Sequence, residues 1–306
     1  LLLNIPIAVS LGSSAILAML YAHDPFTVIS TNVYNGMAKF LLLAIPFFVL
    51  SGNIMAKAGI STRLVNFIDD CVGHRRGGIA IVCVIVACFF GAISGSGPAT
   101  VAAIGGLTIP TMIKQGYDTG YSGAIAAAAG SIGVVIPPSI PMVMYSVATG
   151  ASVGALFLGG IVPGLIIGLS LMLYTKWYCT KRQYINKESQ PFSWKTVGHS
   201  LADGIWALLV PVIILGGIYG GIFTPTEAAA VAVAYGLIIG AFVYKELKFK
   251  DLVGIFANAS LTTATIMIIL GTANTFGRIL TMQKVPGHIA AFFQSITDSR
   301  IVILLL

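Results

Sequence analysis

The chain is a succession of long apolar runs cut by short polar or basic stretches, and run length decides what each run becomes. Runs near the roughly 20 residues that span a bilayer predict helices over 1–22, 35–58, 77–93, 98–113, 119–149, 154–178, 204–222, 225–244, 252–280 and from 300 onward. Residues 23–34 and 283–297 predict interfacial segments. Two runs differ in kind. Gly77 to Ile113 and 119–175 carry no Asp, Glu, Lys, Arg or His, yet helix breakers interrupt both, "GAISGSGPAT" at 91–100 and "SIGVVIPPSIPMVMY" at 131–145. Glycine and proline do not sustain a helix interior. Backbone released from helical pairing in hydrocarbon is costly unless it is buried in protein or lines a cavity. Both breaks are therefore candidate sites.

Composition fixes the medium. The 306 residues are 57% hydrophobic and only 9% charged, against about 25% charged in soluble domains, so the chain is read as an all-α polytopic membrane protein within a lipid bilayer. The net charge of +7 does not point to nucleic acid, because the basic residues gather in loops. "GHRRGG" (73–78), the loop 176–195 with Lys176, Lys181, Arg182, Lys187 and Lys195 against Glu188, and 245–250 with Lys245, Lys248 and Lys250 are placed on the cytoplasmic side by the positive-inside pattern. Cys71, Cys83, Cys88 and Cys179 have no metal spacing, and Cys83 and Cys88 are expected as buried apolar side chains. The start at "LLLNIPIAVS" and the stop at "RIVILLL" predict a fragment truncated at both ends, without a signal peptide.

Loop parity requires 77–113 to begin and end inside, as two spans or as one re-entrant hairpin. Residues 98–113 cover roughly 24 Å at the helical rise, short of the roughly 30 Å hydrocarbon core. The hairpin with its tip near the midplane is the favoured reading. "FVLSGNIMAKAGI" (48–60) aligns without a gap on "ANTFGRILTMQKV" (273–285), and "RLVNFIDD" (63–70) on "HIAAFFQS" (288–295) at the same spacing. The two aligned helices run in opposite senses, which predicts an inverted repeat whose second copy is incomplete here. The expected divisions are N-terminal spans at 1–76, the hairpin and broken helix at 77–149, spans and the basic loop at 150–251, and the start of the second repeat at 252–306.

Pro137, Pro138 and Pro141 remove three backbone donors, so carbonyls around Gly133, Ile136 and Pro138 are expected to lose their partners. Neutral oxygens without a carboxylate suit Na⁺ in discontinuous-helix carriers. Helix N-termini after "SGSGP" and "PPSIP" present N–H groups to an anion. Proline kinks packed between helices are the plainer alternative.

At these residues the chain resembles the large membrane subunit of the tripartite ATP-independent periplasmic (TRAP) transporters. "IPFFVLSGNIM", "GAISGSGPATVAAIG", "GSIGVVIPPSIPMVMY", "GGIVPGLIIG" and "GIFTPTEAAAVAVAYG" recur in family order. The resemblance implies sodium-coupled import of an organic acid across the bacterial inner membrane by an elevator mechanism. It also implies a small membrane subunit and a periplasmic substrate-binding protein as partners. Carried over by motif, Ser94 and Ser96 with the backbone oxygens of Gly133, Ile136 and Pro138 would hold Na⁺, and Ser94 and Ser139 would face the substrate. The family handles sialic acids and C4-dicarboxylates, and the reading leans to the sialic-acid type.

Arg278, an ionisable residue in an apolar helix, is read as drawing in the organic anion or pairing with an acid, with snorkelling to the interface as the alternative. Asn53 either orients the hairpin or bonds a neighbouring helix. Asp203 and Trp206 mark an interface. "Thr224-Pro225-Thr226-Glu227" reads as a capping box rather than a proton relay. No constellation of an enzyme and no phosphate-binding glycine loop for ATP is visible. A stand-alone sodium-coupled anion carrier without a binding protein is the competing function.

Overall fold

In the computed structural model residues 4–23, 25–184 and 192–296 are described, and every regular element among them is helical. Within these residues five helices are long and apolar enough to cross a membrane: Phe40–Lys57, Val153–Lys181, Trp194–Tyr219, Pro225–Val243 and Phe249–Met282. With the sequence pattern, this makes the chain a multi-pass membrane protein. Contacts divide it into two units, one of Leu1–Phe40 with Thr262–Leu306 and one of Leu41–Leu261. The expected helix from 300 onward, together with Lys187 and Glu188 of the basic loop, lies outside the described residues.

Helices α1 (Ile7–Ala22) and α2 (Thr27–Met37) open the chain. The helix expected over 35–58 spans Phe40–Lys57. It begins as a 3₁₀ turn, Phe40–Leu43, and continues as α3 (Ala44–Lys57). Pro46 has no N–H to offer the Leu42 carbonyl four residues back, and a 3₁₀ turn needs no such bond. Gly59, in the left-handed region at φ 73°, turns the chain into the amphipathic α4 (Ile60–Val72).

α5 (Gly78–Ser94) is buried along most of its length, Val82, Val84, Val86 and Phe90 included. Its all-round hydrophobicity in sequence has that cause. The return arm of the hairpin is not one regular helix. It runs as α6 (Gly97–Thr100), a π segment (Val101–Gly105) and α7 (Gly106–Lys114), packed against α5. Cys83 is buried as expected, whereas Cys88 is only partly covered.

The run expected over 119–149 is α8 (Thr119–Ser131), a 3₁₀ turn (Ile132–Val134), an irregular stretch and α9 (Ile140–Thr149). α10 (Val153–Lys181) follows, and Leu158, Val162, Leu165, Ile166 and Leu169 leave its flank exposed and apolar. Stacked tyrosines tie its end to the start of α8, with Tyr117 against Tyr184 at 4.5 Å and Tyr121 against Tyr178 at 4.4 Å.

α11 spans Trp194–Tyr219, ten residues ahead of its expected start at 204. Its first turns are polar on the exposed side, which lowers the hydropathy, but they bury Val197 and Gly204 and the helix packs on α4. α12 (Pro225–Ile238) packs on α3 and ends in a π segment, Ile239–Val243. Arg63 of α4 ties these elements together. Its guanidinium meets Glu246 at 2.7 Å and Asp203 at 3.3 Å, and lies 3.7 Å from the Tyr244 ring centroid.

α13 (Phe249–Met282) and α14 (Val285–Ile296) complete the described chain, so the segment expected to be interfacial at 283–297 is helical over Val285–Ile296. In the first unit Ala15, Met19 and Ile279 form a small buried core, and the Asn274 amide donates to the Asn32 carbonyl at 2.9 Å. The two aligned segments share local geometry. Ala58 N–H bonds Ile54 O at 2.8 Å, and Gln283 N–H bonds Ile279 O at 2.9 Å. Gly59 and Lys284 are both left-handed. Arg63 N–H then bonds Gly59 O, as His288 N–H bonds Lys284 O.

Candidate functional site

The hairpin tip is made by three residues with different tasks. Gly95 ends α5 in the left-handed region at φ 63°, ψ 11°, a conformation glycine adopts without strain. Ser96 is extended, and its hydroxyl caps α6 by accepting from Ala99 N–H at 3.4 Å. Ser94, only 1% exposed, turns its hydroxyl towards the Thr100 hydroxyl at 3.1 Å and the Ser96 carbonyl at 3.4 Å.

The second break repeats this chemistry. Ser139 is extended and caps α9, with Pro141 in its first turn. Its hydroxyl donates to the Val134 carbonyl at 2.6 Å and accepts from Met142 N–H at 3.5 Å. Ser139 is fully buried, and in this conformation its hydroxyl is committed inside the protein.

The two breaks are joined. Ile140 N–H, the first amide of α9, donates to the Gly95 carbonyl at 3.1 Å. A Cβ on Gly95 would lie 2.8 Å from the Pro138 oxygen. Behind the tip, a Cβ on Gly91 would come within 2.7 Å of Gly133 Cα, and one on Gly52 of α3 within 2.9 Å of Ser94 Cβ.

Each carbonyl expected to be released has lost its helical donor for an identifiable reason. Gly133 would need Pro137, which has no N–H. Ile136 would need Ile140, whose N–H goes to Gly95. Pro138 would need Met142, whose N–H faces Ser139 Oγ. Carbonyls without a helical donor are candidates for a cation. Ser94, Ser96, Gly133, Ile136, Pro138 and Ser139 thus share one neighbourhood. Arg278 belongs to the other unit and is exposed.

Thr100 escaped the sequence reading. It is 0% exposed, its hydroxyl donates to Ser96 O at 2.8 Å and meets Ser94 Oγ, and it fills the space a Gly133 side chain would need. The available signal was its position one helical turn after Ser96, where a threonine hydroxyl reaches back to the i−4 carbonyl. Gly52 meets the hairpin at Ser94, and Asn53 lines a separate cavity beside Lys57 and Lys250. The capping box at Thr224 and Glu227 is formed, with Thr224 N–H to Glu227 Oε2 at 2.8 Å and Glu227 N–H to Thr224 Oγ1 at 3.3 Å. Asp203 pairs with Arg63, and the Trp206 carbonyl accepts from the Tyr235 hydroxyl.

A buried hairpin tip bonded to a proline break, set among long apolar helices, defines a polytopic membrane protein organised around paired interruptions of its helices. Over residues 1–306 the sequence matches the family described as the tripartite ATP-independent periplasmic transporter, DctM component, and the chain belongs to that family. It is 47% identical over 307 residues to the isethionate TRAP transporter permease protein DctMQ of Oleidesulfovibrio alaskensis, covering 100% of this chain and 48% of that protein. It is 41% identical over 284 residues to the C4-dicarboxylate TRAP transporter large permease protein DctM of Pseudomonas aeruginosa, covering 92% of this chain and 66% of that protein. It is 39% identical to the sialic acid TRAP transporter large permease protein SiaM of Vibrio cholerae, covering 90% of this chain and 64% of that protein. The chain therefore spans about half the length of the first of these relatives and about two thirds of the others. These relatives are named as transporter permeases, and the chain is not an enzyme.

Proposed function

We propose that the chain is the membrane-spanning core of a secondary transporter that moves an organic anion across the bacterial inner membrane, coupled to Na⁺. The observation that carries this reading is the bond from Ile140 N–H to Gly95 O. It holds the two breaks together and draws away the donor of the Ile136 carbonyl, leaving neutral oxygens beside the serine-lined tip. Na⁺ would be held by Ser94, Ser96 and the backbone oxygens of Gly133, Ile136 and Pro138. Ser94 and Ser139 would meet the anion, Ser139 after its hydroxyl turns from Val134. Burial of the tip is what a re-entrant hairpin requires, and the recurring helix–turn–helix geometry is consistent with an inverted repeat of elevator type.

The named substrates of the relatives, isethionate, C4-dicarboxylates and sialic acid, are all small organic anions, which supports that class here. The DctMQ relative supports a small membrane subunit as partner, and the family name supports a periplasmic binding protein. The cation's charge would offset the burial of the carboxylate or sulfonate, so sodium and substrate would raise each other's affinity by the same factor.

The test is uptake and substrate binding by the full-length protein in proteoliposomes, with its partners, with and without a sodium gradient. Ser96→Ala is expected to raise the sodium concentration needed for half-maximal binding while changing binding at saturating sodium far less. Equal substrate affinity with and without sodium would refute the coupling.

A further inference from the structure

Away from the paired breaks, a cavity of about 430 Å³ opens between the end of α3 and the start of α13. Lys57 and Lys250 line it from different helices, and Asn53 and Asn258 share its wall. The one carboxylate on the wall, Asp251, is turned to helix capping, with Oδ2 accepting from Lys248 N–H at 3.1 Å. Among the described residues both ion pairs belong to Arg63, and neither Lys57 nor Lys250 makes one. The cavity is therefore net positive, rich in donors and large enough for a small headgroup. Lys250 lies in the basic stretch 245–250 that the charge pattern places on the cytoplasmic side. Beside the polar stripe of α13, Val253 and Phe256 are 73% and 46% exposed, an apolar strip for a chain attached to the headgroup.

We propose that this cavity binds the phosphate of an anionic phospholipid headgroup, held between Lys57 and Lys250 with Asn53 donating to its oxygens. Free inorganic phosphate offers the same chemistry, and a general attraction of basic loops to anionic membrane is the alternative that needs no cavity. Gly254 separates these readings. It lines the cavity, and a Cβ there meets nothing within 4 Å. Gly254→Leu would thus fill the space while leaving both lysines in place.

The experiment uses the full-length protein in detergent, with lipid adducts counted by native mass spectrometry and thermal unfolding followed by tryptophan fluorescence. Phosphatidylglycerol, phosphatidylcholine and inorganic phosphate are titrated separately. Phosphatidylglycerol is expected to bind and raise the unfolding midpoint, and phosphatidylcholine to do neither. K57Q/K250Q should weaken phosphatidylglycerol binding about tenfold or more, and Gly254→Leu should weaken it with the charge intact. K176Q/K181Q, at another basic rim, should leave it unchanged. Saturable stabilisation by phosphate alone, lost in K57Q/K250Q, would assign the site to soluble phosphate instead of lipid while keeping its chemistry. Undiminished binding by K57Q/K250Q, or loss in K57Q/K250Q with full binding by Gly254→Leu, would overturn the proposal. Unfolding midpoints in phosphatidylcholine alone report whether each variant is folded, and the two single lysine variants, each expected to lose part of the affinity, replace the double one if it is not.

Discussion

The amide of Ile140 donates to the carbonyl of Gly95 at 3.1 Å, so the first N–H of one broken helix is satisfied by the last turn of another. An α-helix leaves its first N–H groups without intrahelical partners, and here one of them fastens two interruptions together. The consequence is transmitted along the chain, because the Ile136 carbonyl is then deprived of its helical donor.

Close approach behind the tip makes Gly91 sensitive to a single methyl group. Gly91→Ala would place its Cβ 2.7 Å from Gly133 Cα, and backbone cannot rotate away as a side chain can. A loss of about 1–3 kcal/mol is expected, the usual cost of overpacking. Gly123→Ala in α8 meets nothing within 4 Å and should instead be neutral or stabilising by about 0.5–1 kcal/mol. Thermal unfolding of the two purified variants checks the contrast, and equal effects would contradict the packing.

Thr100 holds the tip from inside. Thr100→Val keeps the shape but takes the donor from Ser96 O and the partner from Ser94 Oγ. Leaving buried polar groups unpaired costs about 1–3 kcal/mol, and the sodium requirement for substrate binding should rise as well. Thr100→Ser retains the hydroxyl and should restore most of both. A sodium titration of binding, beside a melting curve, distinguishes this from a packing defect.

The carboxylate of Glu227 accepts from both the backbone and the hydroxyl of Thr224. Glu227→Gln preserves the box and should leave transport and melting as in the parent. Thr224→Ala should cost about 1 kcal/mol of stability without changing the pH profile of uptake. A changed pH profile in Glu227→Gln would make the residue a proton carrier after all.

Asp69 on the amphipathic α4 is held above its ordinary pKa of 3.8, by burial first and by the charge of Asp70 second. Its Oδ1 has no partner, and Arg63, Asp70, His199 and Asp203 border the same hollow. An acid with a raised native pKa binds its proton more tightly when folded. Native stability is then greatest at low pH and falls as pH climbs from 3.8 through the raised value. Asp69→Asn should therefore melt higher than the parent at neutral pH, with the gain disappearing on acidification. A gain independent of pH would point to hydrogen bonding rather than charge.

What the sequence alone determined was the medium and the place of the interruptions. Apolar runs of spanning length point to a membrane, and the clustered glycine, serine and proline at 91–100 and 131–145 mark where helix is interrupted. The capping box at Thr224 was equally legible, because all its hydrogen bonds fall within four residues. The tertiary structure decided everything that depends on a distant partner. It set Gly52 against the hairpin, since only a missing side chain admits Ser94 so closely. It started α11 at Trp194, where a polar face hides a buried one against α4. It brought in Thr100, which sequence offers only as one more hydroxyl. Above all it gave the Ile140 amide to Gly95, an acceptor 45 positions away along the chain. Local rules state which carbonyls proline strips of donors, but only packing determines which remaining donors are drawn elsewhere.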